Sequence, residues 1–176
     1  MKKDGKNGRN YPTVYCYIAV LSIFNFLAWS TPVLSILDNP ISDPLYSFFS
    51  LFCHQMFERS MCLSSEFQIG DCELSSGFTH QFPVCSRDMS FYFAMLIGGM
   101  AYLAIGKKDE IEIPPISVLV LFILPLAIDG TTQLFGLRES SNFLRIVTGG
   151  IAGVIMPFFL IPIVNKIQHI RNKNKN

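Results

Sequence analysis

Residues 13–37 read TVYCYIAVLSIFNFLAWSTPVLSIL, twenty-five positions without one Asp, Glu, Lys or Arg. A helix needs about 20 apolar residues to cross a hydrocarbon core of about 30 Å, so this stretch is long enough to span a bilayer. It follows a basic segment, as the apolar core of a signal peptide does. The run is nevertheless about twice the usual length of such a core, and Ala28-Trp29-Ser30 is followed by Thr31-Pro32 and more apolar sequence. An uncleaved anchor is expected.

Three further apolar runs lie downstream, at residues 89–106, 115–137 and 143–165. The chain as a whole is 50% hydrophobic and only 15% charged, with 16 Phe, which excludes an ordinary soluble globule and a nucleic-acid-binding surface. The expected fold class is all-α: an integral membrane bundle of four transmembrane helices in a single membrane domain, residues 13–165. Basic residues orient it, because cytoplasmic loops carry excess Lys and Arg. Lys2, Lys3, Lys6 and Arg9 precede the first run, Lys107 and Lys108 separate the second from the third, and Lys166, Arg171, Lys173 and Lys175 follow the fourth. Four spans put all of these on one side. The tails 1–12 and 166–176 are then cytoplasmic and expected to be disordered, in a multi-pass protein of the cell membrane, and the segment 38–88 faces outward.

Within that outer segment, Ser42-Asp43-Pro44 is a helix-start signal, and Leu45, Phe48, Phe49 and Phe52 form an apolar stripe too short to cross a bilayer. An interfacial or re-entrant helix ending near Arg59 is expected. Residues 61–82, rich in Ser, Gly and acidic side chains, read as a solvated loop in which Cys62 and Cys72 can form a local disulfide. In the spans, Ser90, Ala94 and Gly98 recur every four residues and Gly149 and Gly153 form a Gly-x-x-x-Gly, so both read as packing faces. Pro125, Pro157 and Pro162 are expected to kink their helices.

Two polar clusters stand at the outer ends of these runs, where ionisable groups are costly and usually functional. The first is Cys53-His54-Gln55 with Arg59, then Cys85-Ser86-Arg87-Asp88. Cys53, His54, Cys85 and Asp88 offer thiolate, imidazole and carboxylate donors suited to a transition metal such as zinc. A disulfide between Cys53 and Cys85 is the competing reading. The second cluster runs from Asp129 through Gln133, Arg138 and Asn142 to Arg145. Asp129 and Gln133 share one helix face, Asn142 and Arg145 another, and a hairpin over residues 136–141 brings the faces together. Arg59, Arg87, Arg138 and Arg145, with Gln133 and Asn142, make a clamp for phosphate or carboxylate, and Asp129 and His54 are the candidate catalytic groups. The plainer alternative is an Asp129–Arg145 ion pair that neutralises two interfacial charges.

Three stretches together carry a family resemblance: Cys53-His54-Gln55-x-x-x-Arg59-Ser60; Pro83-Val84-Cys85-x-Arg87; and Pro125-x-x-x-Asp129-Gly130-x-x-Gln133-x-x-Gly136-x-Arg138-Glu139-Ser140-x-Asn142-x-x-Arg145-x-x-Thr148-Gly149. Over residues 50–153 the chain resembles the predicted integral membrane proteins grouped as domain of unknown function 2085 (DUF2085). The family pattern has Cys-x-Arg-Cys where this chain has Cys85-Ser86-Arg87-Asp88. Asp88 in place of a second cysteine weakens a dithiol redox mechanism but keeps a metal ligand. The resemblance implies architecture and positions, not a reaction.

Nothing matches a nucleotide-binding loop, a nucleophile elbow or the His-Glu-x-x-His zinc helix. Three classes remain. One is a metal-assisted enzyme or binding protein, in the lipid bilayer, for an anionic or lipid-linked phosphate group. Another is a small-solute or ion transporter or channel subunit, whose four short spans would require a homo-oligomer to wall a pathway. The third is a structural or assembly subunit of a membrane complex.

Overall fold

The computed structural model describes residues 12–73 and 77–174, and within them the chain is mostly helical. Helix α1, Thr13–Ile36, follows Pro12 and contains Pro32. Helix α2, Ser42–Phe49, is a short surface piece, followed by a single 3-10 turn at Phe57–Arg59. Three short strands come next, β1 Met61–Ser64, β2 Ile69–Asp71 and β3 Phe78–Gln81. Then come α3 Ser86–Ala104, α4 Ile116–Leu134, α5 Asn142–Ile155 and α6 Pro157–Lys173.

Among the described residues, three helical stretches are long and apolar enough to cross a membrane: Thr13–Ile36, Ile116–Leu134 and Asn142–Lys173, the last made of α5 and α6 joined through Met156. Pro157 opens α6 at a position where its missing N–H interrupts the hydrogen-bond ladder. Helix α3 matches the second expected run but falls short of the other three in hydropathy. Its first turn carries Arg87 and Asp88, and it is packed between α1 and α5.

That packing is set by absent side chains. A Cβ added at Gly153 would press on the Phe91 carbonyl oxygen and Ala94, and one at Gly149 on the Arg87 carbonyl oxygen and Ser90 Oγ. One at Gly98 would meet the Val154 carbonyl oxygen and Pro157. Backbones of α3 and α5 thus touch directly, as small residues permit between helices in lipid. Helix α1 closes the other side: Phe24 meets Phe49 of α2 at 5.1 Å and Tyr92 of α3 at 4.5 Å between ring centroids. Asn25 donates to the Leu21 and Tyr92 carbonyls at 2.8 and 3.2 Å, so the one amide inside α1 is satisfied.

The loop expected over residues 61–82 is instead a small antiparallel sheet in the order β2-β1-β3, with Cys62 opposite Gly70 and Gln81. Strands of three and four residues are too short to show a sequence period. Cohesion comes from the Cys62–Cys72 disulfide, which forms as expected. Two boundaries also differ from expectation. Helix α2 ends at Phe49 rather than near Arg59, and the C-terminal basic segment is helical as far as Lys173. The 32 residues of α5 and α6 extend about 48 Å, beyond a core of about 30 Å, so α6 carries its last basic turns past the apolar zone. The N-terminal tail lies outside the described residues apart from Pro12.

Candidate functional site

Helix α4 buries one residue, Asp129, which is 2% exposed. Its apolar neighbours face outward, so the helix is held in register at this end by charge. Asp129 Oδ2 accepts a hydrogen bond from Arg87 Nη2 of α3 at 2.5 Å, and Oδ1 accepts one from Arg138 Nη2 at 2.6 Å. Gln133, one turn along α4, accepts from the same Arg87 nitrogen at 3.2 Å. Arg138 lies in the turn between α4 and α5, where Gly136 adopts φ of 66°, a left-handed conformation natural to glycine. The expected Asp129–Arg145 pair therefore does not form. Arg87 of α3 and Arg138 of the α4–α5 turn fill both carboxylate oxygens, while Arg145 bonds to Asn142 and the Glu58 carbonyl instead.

Helix α5 starts at Ser141, whose Oγ accepts from the Leu144 N–H as an N-cap. Its buried face is Asn142, Arg145, Thr148, Gly149, Ala152 and Gly153, the three- and four-residue spacing seen in the sequence. Asn142 Nδ2 donates to the Ser60 carbonyl at 3.2 Å and to Asp71 Oδ1 at 2.8 Å, tying α5 to the chain leading into β1 and to β2. Its Oδ1 accepts from Arg145 Nη1 at 2.8 Å.

Arg145 is 5% exposed, yet among the described residues its only other hydrogen-bond partner is the Glu58 carbonyl at 3.5 Å. No carboxylate pairs with it among the described residues, and its Nε is buried without a partner. Arg87 Nε is likewise buried and unpartnered. Arg59 and Arg87 are close enough to oppose the Arg145 charge. A buried guanidinium stays charged at any physiological pH and is costly without a counter-charge. Two neighbouring arginines each keep one buried N–H donor without a partner.

Beside them, Cys53, Cys85 and Asp88 bring two sulfurs and a carboxylate oxygen within 4.8 Å of one another. Asp88 stands one turn into α3 from Cys85, and Cys85 Sγ donates to Asp88 Oδ2 at 3.2 Å. Both thiols are free, and the Cys85 amide donates to Cys53 Sγ at 3.2 Å. The side-chain interaction with Cys85 is the largest influence holding the Cys53 thiol down, to about 6, against the opposing effect of burial. The same interaction, then burial and the Asp88 charge, pushes Cys85 well up. The donor set suits a borderline-soft ion with three protein ligands. His54 is exposed and stands apart from this group. Adjacent residues in irregular chain rarely converge on one point.

The structure thus gathers Arg87, Gln133 and Arg138 around Asp129, joins Asn142 to Arg145, and groups Cys53 with Cys85 and Asp88. Arg59 is exposed; its carbonyl accepts from Ser86 Oγ at 3.1 Å. Asp71 and the Ser60 and Glu58 carbonyls were not anticipated. Asp71 had one sequence signal, a carboxylate adjoining a disulfide cysteine in the outer segment.

A sequence profile for the family described as predicted membrane protein (DUF2085) matches residues 75–159. An uncharacterized protein of Methanocaldococcus jannaschii is 42% identical over 123 residues, covering 70% of each chain. A second uncharacterized protein, from Methanothermobacter thermautotrophicus, is 32% identical over 124 residues, 69% of this chain and 96% of that protein. No solved structure matches. Identity at that level and coverage, together with the profile match across the α3–α5 core, shows that the chain belongs to the DUF2085 family of predicted membrane proteins.

Proposed function

We propose that this protein crosses the membrane four times, with α3 as the further span and both termini cytoplasmic, and that its outer polar end binds an anionic phosphate group, most naturally that of a lipid. The observation that carries the reading is Arg145, buried and without a carboxylate, beside Arg87 with its own unpartnered Nε. Guanidinium forks suit phosphate oxygens, and Arg59 and Arg138 stand nearby to widen the clamp. Asp129 serves as counter-ion and positioning group, with both carboxylate oxygens already held by guanidinium. A transition metal such as zinc, held by Cys53, Cys85 and Asp88, would supply Lewis-acid chemistry or an activated water next to the bound group.

In detergent, inorganic phosphate at saturating concentration should raise the unfolding temperature of the purified protein by about 5–10 °C, the stabilisation expected when ligand is about 100-fold above Kd. The shift should vanish in Arg145→Gln. No shift in the unmodified protein, or the same shift in the variant, would refute the anion site.

One thiol map tests topology and metal together. A membrane-impermeant maleimide applied to intact cells should reach Cys62 and Cys72 only after impermeant reductant, because they are disulfide-bonded. Cys53 and Cys85 should react only after a chelator. Labelling that needs permeabilised cells reverses the orientation, and Cys53 and Cys85 responding to reductant instead of chelator would replace the metal with a disulfide.

A further inference from the structure

Arg145 has one nitrogen engaged and one edge open. Among the described residues, both of its hydrogen bonds leave from Nη1, to Asn142 Oδ1 at 2.8 Å and to the Glu58 carbonyl at 3.5 Å. Nε is buried without a partner, and Nη2, which has an N–H on the same edge as that of Nε, is hydrogen-bonded to none of these residues. Two parallel N–H donors on one edge are the fork that phosphate or carboxylate oxygens accept bidentately. Where that edge points depends on what holds Nη1.

The shorter of the two holds is Asn142 Oδ1, and an amide has two ends. Its oxygen faces Arg145 only while its Nδ2 faces acceptors, because a flipped amide would set N–H against N–H. Two acceptors meet Nδ2, Asp71 Oδ1 at 2.8 Å and the Ser60 carbonyl at 3.2 Å. Both belong to the outer segment. Asp71 ends β2 opposite Met61 of β1, and Cys72, which follows it, is cross-linked to Cys62 of β1. Ser60 is fully buried, its Oγ donating to the Met56 carbonyl at 2.9 Å and accepting from Gln81 Nε2 at 2.9 Å. The Glu58 carbonyl lies in the 3-10 turn just before it. The polar anchors of Arg145 thus trace, directly or through Asn142, to the turn and sheet rather than to another membrane helix. Asp71 stands two hydrogen bonds from Arg145, where its charge works against an anion, so its place there is explained by the bond it makes and not by its sign.

We propose that Asp71 is a positioning residue: held by the disulfide-linked β1–β2 pair, it fixes the Asn142 amide and through it aims the Nε–Nη2 edge of Arg145 at the bound anion. The inference rests on the anion-site reading and adds to it how the outer sheet sets that site. Asp71 itself does not touch the anion.

The sign of one substitution separates positioning from charge. The dissociation constant for inorganic phosphate would be taken from the dependence of unfolding temperature on phosphate concentration in detergent, at constant ionic strength. Asp71→Ala removes an acceptor and a negative charge together. Loss of charge alone would tighten phosphate binding. Loss of the bond that orients Asn142 should instead weaken it by about fivefold, the factor that one hydrogen bond is worth. Asp71→Asn keeps an acceptor oxygen without the charge, so it should bind phosphate at least as tightly as the unmodified protein. In an Asn142→Ala background, where the relay is already cut, Asp71→Ala should no longer weaken binding. Asp71 is exposed, so the two changes at position 71 spare the core, and their comparison stands even if Asn142→Ala does not fold. Unchanged or tighter binding in Asp71→Ala, equal weakening in Asp71→Asn, or continued weakening in the Asn142→Ala background overturns the proposal while the anion site stands. No phosphate response in the unmodified protein overturns the anion site and this inference with it.

Discussion

Gly153→Leu should prevent assembly of the bundle, and Gly153→Ala should already lower the unfolding temperature in detergent by about 10 °C. The reason is what the new atoms meet. At Gly153 an added Cβ presses on the Phe91 carbonyl oxygen and the Ala94 Cβ, neither of which is the movable end of a long side chain. Overpacking a close contact costs about 1–3 kcal/mol where side chains can yield, and here the obstacle is backbone. For a chain of this size about 3 kcal/mol corresponds to about 6–12 °C. Gly150 supplies the control on the same helix, because a Cβ there meets nothing within 4 Å. Gly150→Ala should be neutral or stabilising by up to about 1 kcal/mol through helix propensity alone. Thermal unfolding of the two alanine variants side by side decides the matter. Equal losses would mean that the α3–α5 approach is not as close as described.

What the sequence disclosed follows from how local each property is. Apolar length is local, so residues 13–37 and 115–137 could be placed within a few positions of α1 and α4. Helical periodicity is local too, and it put Asn142 and Arg145 on one face, which is the face that α5 buries. The small-residue stripes were legible for the same reason. The sheet was not, since strands of three or four residues held by a disulfide carry no alternation long enough to read. The partner of Asp129 was not legible either: spacing fixes which residues share a face, but the rotation of α3 and α5 about their axes decides which arginine arrives. Arg87, Arg138 and Arg145 were equally eligible by charge. His54 shows the converse error, in which adjacency in sequence was taken for adjacency in space.

That difference in partner makes the second large effect specific. Asp129→Asn keeps the size and removes the charge of a residue that is 2% exposed, leaving the largely buried Arg87 and the half-exposed Arg138 without their shared counter-charge. Removing one member of a buried pair costs about 3–5 kcal/mol, because the remaining charge stays desolvated. The loss should be partly recovered in the double variant Asp129→Asn with Arg87→Gln, since the two removals share one interaction. It should be closer to additive with Arg145→Gln, which makes no ion pair or hydrogen bond with Asp129 and feels its charge only at longer range. Recovery through Arg145 rather than Arg87 in these cycles would refute the arrangement of the three helices. The anion site adds a second readout. With Asp129 neutral, Arg87 has one fewer competitor for its donors, so inorganic phosphate should stabilise Asp129→Asn by more than it stabilises the unmodified protein, through the linkage between binding and folding. A variant destabilised as predicted but indifferent to phosphate would show that Asp129 balances a structural charge and that the arginines around it do not bind an anion.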